Sequence, residues 1–187
     1  MAAAHAFSSE RARLILEAAR SGDAAVWEEL FDEHYPQLYR FFRSRVPGDT
    51  LAEDLAADVF AEAWRSRGGL RWRRRPFAAW LFGIARHRLA SFYRDRPPDA
   101  RELTSDDEPI GQVHNEFLAV ELRDVLDGLR ADYRQAIELR YVVGLANVEA
   151  AAVMDRSPGA FRTLLHRALQ SCRDALDSSP PDAAAGD

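Results

Sequence analysis

The amino-acid sequence predicts an all-α chain: two small helical domains joined by a flexible acidic linker, the second domain carrying a helix-turn-helix. Three observations predict this class. Apolar residues recur at helical spacing through most of the 187 residues, and long period-two runs of Val, Ile or Thr are absent. Pro97-Pro98 then breaks the pattern, and up to Asn115 the acids Asp99, Glu102, Asp106, Asp107 and Glu108 face only Arg101, with few large apolar residues. Beyond that gap a new helical pattern begins. The divisions are a first domain over residues 8–96, a linker over 97–115, a second domain over 116–177 and a Pro/Ala/Asp-rich disordered tail over 178–187.

Each element has a local reason. A first helix runs from about Glu10 to Arg20 and stops at Ser21-Gly22. Asp23 caps a second helix that carries Trp27, Leu30, Phe31, Leu38, Phe41 and Phe42. Pro36 is expected to bend it, and Pro47-Gly48 to end it. Thr50, Leu51, Ala52 and Glu53 read as a capping box for a third helix, which presents Leu51, Leu55, Val59 and Phe60 to a core and closes at Gly68-Gly69. Pro76 suits the first turn of a fourth helix reaching about Asp95. On it Phe77, Leu81, Ile84 and Phe92 share a buried face. Arg88 falls on that face too and is expected to pair with an acid of the third helix, such as Asp54 or Asp58.

In the second domain Phe161, Leu164, Leu165, Ala168 and Cys172 recur at i, i+3, i+4, i+7 and i+11, one apolar face of a helix. Gly159, Thr163, His166, Arg167 and Gln170 lie opposite, flanked by Arg162 and Arg173. Ser157 is a good N-cap, and Pro158 fits the first helical position. A short helix over about Ala146–Met154 precedes it, so the order is helix, tight turn, helix with a basic outer face. The pattern alone fits an ordinary helical hairpin with a solvated face equally well.

Charge is unevenly placed. From Trp64 to Arg96 there are ten arginines, seven aromatic residues and one acid, while the whole chain has a net charge of −5. Planar cations interleaved with aromatic rings suit a strand of phosphates and unstacked bases. Trp72 stands among Arg71, Arg73, Arg74 and Arg75, where a solvated charged face is a poor account of four arginines in five positions. All 25 basic residues are arginine, which bidentate phosphate contacts and a plain compositional bias both explain.

Several classes are excluded or disfavoured. One cysteine, Cys172, cannot form an internal disulfide, and no stretch resembles a signal peptide or a membrane span. The expectation is a soluble cytoplasmic chain without membrane insertion. His5, His34, His87, His114 and His166 are scattered, and HExxH, CxxC, a Gly-rich phosphate loop and a Ser/His/Asp grouping are all missing. No enzymatic activity, catalytic residue, metal or cofactor is expected.

Two groups of motifs carry a family resemblance. Phe31–Phe41 (FDEHYPQLYRF), Ala52–Trp64 (AEDLAADVFAEAW) and Ala79–Leu89 (AWLFGIARHRL) resemble region two of bacterial sigma factors. Leu139–Leu145 (LRYVVGL) and Ser157–Ala168 (SPGAFRTLLHRA) resemble region four. With only these two regions and a short linker, the chain resembles the extracytoplasmic-function class over about residues 25–176.

The resemblance implies a transcription initiation factor that binds core RNA polymerase and directs promoter recognition and strand opening. Asp54, Leu55, Asp58, Phe60 and Glu62 would dock on core polymerase. Arg71, Trp72, Arg73, Arg74, Arg75, Trp80, Gly83, Arg86, His87, Ala90 and Arg94 would hold the minus-ten DNA. Ser157, Gly159, Arg162, Thr163, His166, Arg167, Gln170 and Arg173 would read the minus-thirty-five DNA. An anti-sigma partner is implied as well, and the free chain is expected to be a monomer. Against the family's pattern, His87 stands for the usual Asn, Ser91 for an acid, Arg130 for Pro, Ala146 for a Ser/Thr cap and Leu164 for a frequent basic residue. A stand-alone helix-turn-helix regulator and a sigma-like polymerase-binding protein without initiation activity are the alternatives.

Overall fold

The computed structural model describes residues 13–70, 76–95 and 125–178. Every regular element among them is helical: α1 (13–21), α2 (Ala24–Arg43), α3 (Asp49–Ser66), a 3₁₀ turn (Arg67–Gly69), α4 (Phe77–Arg94), α5 (125–128), α6 (Ala131–Ile137), α7 (Asn147–Val153) and α8 (Pro158–Ser178). The expected linker, 97–115, and nearly all of the expected tail, 178–187, lie outside the described residues, as does the start of the expected second domain before residue 125.

Asp23 caps α2 as its sequence suggests, its carboxylate accepting from the amides of Ala25 (3.0 Å) and Val26 (3.2 Å). The helix continues through Pro36 to Arg43. The capping box expected at Thr50 does not form. Gly48 takes a φ of 81°, open to glycine at little cost, and α3 starts one residue early at Asp49, with no side-chain cap. Asp49 is instead engaged from α2: Arg43 Nε lies 2.5 Å from its Oδ1, and the Tyr39 hydroxyl donates to the same oxygen at 3.0 Å. A long-range pairing has displaced the local cap.

The first core is the seam of α2, α3 and α4. Leu38, Phe42, Val59, Leu81, Phe82 and Leu89 are fully buried, each contributing about 1.5–3 kcal/mol. Ala52, Ala56, Ala63, Ala78 and Ala85 are also sealed, and their small side chains let the helices approach closely. At one end Trp27 donates its indole N–H to the Ala19 carbonyl of α1 at 2.8 Å and meets Trp64 and Phe77 edge to face.

The second core gathers Leu139, Val143, Leu145, Phe161 and Ala168 between α6, α7 and α8. After α6 the chain makes a π-helical turn, Glu138–Val142, closed by Val143 N–H donating to Glu138 O at 2.9 Å.

The two helical units pack directly on each other, α4 against α7 and α2 against the π-turn. Across this seam Arg45 Nη2 lies 2.6 Å from Glu138 Oε2, with both side chains at most 5% exposed. Burial pulls the Arg45 guanidinium below its ordinary value, against the Glu138 carboxylate. Burial likewise pushes the Glu138 carboxyl up, opposed by Arg45 and then by Arg134. Beside this pair, Arg40 Nε and Nη2 both donate to the Val143 carbonyl, at 3.0 and 2.8 Å.

The Arg43 and Tyr39 hydrogen bonds hold Asp49 below its ordinary 3.8. A depressed carboxyl stabilises the fold above that ordinary value, and the contribution disappears as pH falls through the depressed one. Asp49→Asn should therefore lower the melting temperature at neutral pH and leave a shallower acid limb below about pH 4. Melting curves across pH 2–7 check this; parallel curves for variant and wild type would show that the contact carries no linkage.

Candidate nucleic-acid interface

Helix α4 is amphipathic in three directions. Its sealed stripe, Phe77, Ala78, Leu81, Phe82, Ala85 and Leu89, sets its rotation against α2 and α3. Ile84 and Phe92, expected on the buried face, are only half-buried. Arg88 does pair with an acid of α3, but with Glu62: its Nε lies 2.6 Å from Glu62 Oε2, both side chains about one-third exposed. Asp54 and Asp58, offered as its partners by sequence, stay exposed. Glu62 sits one helical turn further along α3, opposite Arg88.

Trp80, Gly83 and His87 share one face at spacings of three and four. With Leu16, Gly69, Leu70 and Pro76 they line a cleft of about 540 Å³, and Glu62 stands on its wall. That volume lies within the range of small-ligand pockets, about 300–1,000 Å³. The chain leaves the cleft rim at Leu70 and returns at Pro76. Arg71, Trp72, Arg73, Arg74 and Arg75 fall outside the described residues, but their segment is anchored at both ends on this rim.

The other predicted strand-facing residues are not brought to the cleft. Arg86 is exposed on a different face and lines a small cavity between the two domains with Arg134, Gln135 and Glu138. Ala90 and Arg94 are exposed further along, where Arg94 Nη2 donates to Ser91 Oγ at 2.8 Å.

The acidic surface needs correction. Leu55 and Phe60, expected to touch a docking partner, are 8% and 7% exposed and belong to the core. They fall on the α3 stripe that meets α2, where burial against apolar neighbours outweighs display. Glu62 is tied to Arg88 and belongs to the cleft side. Conversely Phe31, expected in the core, is 41% exposed. It stacks on Tyr35 and tilts against Phe60, both at 4.8 Å. The Tyr35 hydroxyl is pushed up by burial, then by Glu53 and Asp54. Phe31 and Tyr35 with Glu53, Asp54 and Asp58 thus make a mixed aromatic and acidic patch. The signal for Phe31 was present as an i, i+4 aromatic pair with Tyr35, at the edge of the α2 apolar stripe.

In the second domain the predicted face is displayed whole. Ser157, Gly159, Arg162, Thr163, His166, Arg167, Gln170 and Arg173 are all exposed. Ser157 Oγ accepts from Ala160 N–H at 3.2 Å, a side-chain cap at the start of α8. Leu164 is 8% exposed, so a basic side chain at that point would have to leave the core. The turn before α8 is tied down: Arg156 N–H donates to Ala151 O at 2.8 Å and Asp155 N–H to Ala152 O at 3.3 Å, with Asp155 at φ 56°. Ala146 offers no side-chain acceptor, yet Glu149 Oε2 accepts from its backbone N–H at 2.8 Å, closing half of a capping box. None of the described helices is long and apolar enough to cross a membrane.

Comparison with known proteins agrees with this arrangement. Residues 30–97 match sigma-70 region 2, and residues 119–172 match sigma-70 region 4. The chain is 30% identical to the ECF RNA polymerase sigma factor BldN of Streptomyces coelicolor, over 95% of this chain and 70% of that one. It is 32% identical to the ECF sigma factor SigD of Mycobacterium tuberculosis, over 89% and 84% of the two chains. The solved structure of CnrH in complex with the cytosolic domain of CnrY is similar with a TM-score of 0.57 and 25% identity, covering 90% of this chain and 98% of that one. Two displayed faces, one a cleft beneath an arginine-rich segment and one the outer side of a capped helix, thus lie within the two matched regions, and the chain belongs to the extracytoplasmic-function family of RNA polymerase sigma factors.

Proposed function

We propose that this sigma factor divides its work between the faces described above. The Phe31, Tyr35, Asp54 and Asp58 patch docks on core RNA polymerase. The cleft of Trp80, Gly83 and His87 takes an unstacked base of the minus-ten element, while the arginines of residues 71–75 neutralise the phosphates of the same strand. The outer face of α8, from Gly159 to Arg173, enters the major groove of the minus-thirty-five element. The observation that carries this reading is the cleft itself: it opens at the root of the most basic stretch of the chain and is walled by an indole and an imidazole. An aromatic platform beside phosphate-binding cations is what a flipped base requires.

The chain acts through binding alone and supplies no covalent chemistry. It works in the cytoplasm as a monomer, with core polymerase, promoter DNA and an anti-sigma factor as its partners. Core polymerase supplemented with this protein should initiate at promoters that core alone ignores. A run-off assay on a genomic promoter library tests this, and failure to form a complex with core at moderate salt would sink it.

Three substitution sets separate the surfaces. Replacing Arg73, Arg74 and Arg75 with alanine should cut open-complex formation, leave core affinity unchanged, and flatten the log–log salt slope by about 2, from roughly 0.7 per lost single-strand phosphate contact. Charge reversal at Asp54 and Asp58 should lower core affinity at least tenfold, about 1.4 kcal/mol, without altering DNA selectivity. His87→Asn should reorder the preference among minus-ten variants in a promoter competition. An unchanged ranking would remove His87 from base readout.

A further inference from the structure

We propose that the free chain closes on itself, and that Arg45–Glu138 together with Arg40–Val143 form the clasp that must open before both promoter elements can be engaged. The inference rests on the sigma-factor reading for its consequence, and on the interdomain geometry alone for its existence.

The clasp joins parts of the chain far apart in sequence. Arg45 is at the end of α2 and Glu138 opens the π-turn, 93 residues later. Arg45 is fixed within its own domain, its Nη1 donating to Phe41 O at 2.9 Å and its guanidinium lying 4.2 Å from the Phe41 ring centre. Its Nη2 is left for Glu138. Arg40 reaches 103 residues along the chain to the Val143 carbonyl. It enters over Gly144, which has φ 86° and where a Cβ would stand 2.9 Å from Arg40 Nη2. A residue without a side chain is thus present where the other domain's guanidinium must pass. Glu33, His34 and Glu149 also approach within 4.8 Å of one another, bringing α2 and α7 together at a further point.

The closed form is incompatible with binding both elements. They are separated by about 25 base pairs, or about 85 Å at 3.4 Å per pair. Compact domains of about 85 and 55 residues have radii of gyration near 12 and 10 Å, so the docked pair measures roughly 55–60 Å end to end. The connecting chain is long enough for the open form: residues 96–124 are 29 residues, up to about 100 Å when extended. Closure also places Arg86 in the interdomain cavity.

The clasp is built to give way. Glu138 Oε1 is buried and takes no hydrogen bond from a described residue. A buried ion pair with an unsatisfied oxygen is a weak net stabiliser of the state that contains it. Tethering compensates: a local concentration near 1 mM keeps even a contact of about 0.1 mM affinity closed roughly ten to one. Binding of polymerase and promoter can overcome such a bias, whereas free chains remain mostly closed.

The test uses the full chain and two variants acting on opposite sides of the seam, Glu138→Gln and Arg40→Ala, each first checked for retained helicity and a cooperative melt. Small-angle scattering should give a compact wild type, near the radius of gyration of about 16 Å for a packed chain of this length, and variants shifted toward about 25 Å, as for separated domains. Open-complex formation at subsaturating protein should be at least threefold faster for the variants. A wild type already as expanded as the variants overturns the clasp, and so do folded variants that both stay compact. Expanded variants with unchanged or slower open-complex formation overturn its regulatory role. If no chain binds core polymerase, the functional reading fails, while scattering still decides whether the clasp exists.

Discussion

The rotation of α4 is the constraint on which most of this structure depends. Ala78, Leu81, Phe82, Ala85 and Leu89 are fully sealed against α2 and α3, so the helix has one way to lie. Once that stripe is buried, residues three and four apart on the remaining surface have no choice of direction. Trp80, Gly83 and His87 turn to the cleft with Leu70 and Pro76. Arg86, one residue from His87, turns to the second domain. A single packing decision thus separates a base-binding face from an interdomain one.

The same logic governs the charges. The chain carries many arginines, but their roles follow from what each meets after packing. Arg43 ties α2 to Asp49, Arg88 ties α4 to Glu62, Arg45 is buried against Glu138, and Arg40 holds a carbonyl of the other domain. The helix from Pro158 shows the opposite case: its arginines stay exposed because Phe161, Leu164, Leu165 and Ala168 already satisfy its buried side. Display for a partner is what remains after internal pairing has been met.

Promoter recognition and self-association of the two domains compete for the same molecule. Each domain has its own core and its own displayed face, and the interdomain contacts join them through polar groups buried at some cost. A sigma factor must bind polymerase tightly and release it, and must avoid scattered DNA when alone. A weak closed state opened by the assembled polymerase and promoter meets both demands without any additional component.

The amino-acid sequence by itself determined the helical class, the order of elements and the faces that repeat every three to four residues. Asp23 as a cap, Gly68-Gly69 as a stop, Ser157-Pro158 as a start, and the exposed face of α8 are local or periodic properties, and such signals survive without tertiary context. Most of the α4 face was legible for the same reason. Tertiary structure decided which side chains of an amphipathic edge are covered and which long-range charges meet. Leu55 and Phe60 are buried while Phe31 is displayed, Glu62 takes Arg88 in place of Asp54 or Asp58, and Asp49 displaces the Thr50 cap. The contact between the two domains was invisible to the sequence, because Arg45 and Glu138 lie 93 residues apart and neither shows a spacing that marks a partner. Periodicity reports the neighbours along one helix, and only packing brings separate helices within the few ångströms at which charge and shape select one another.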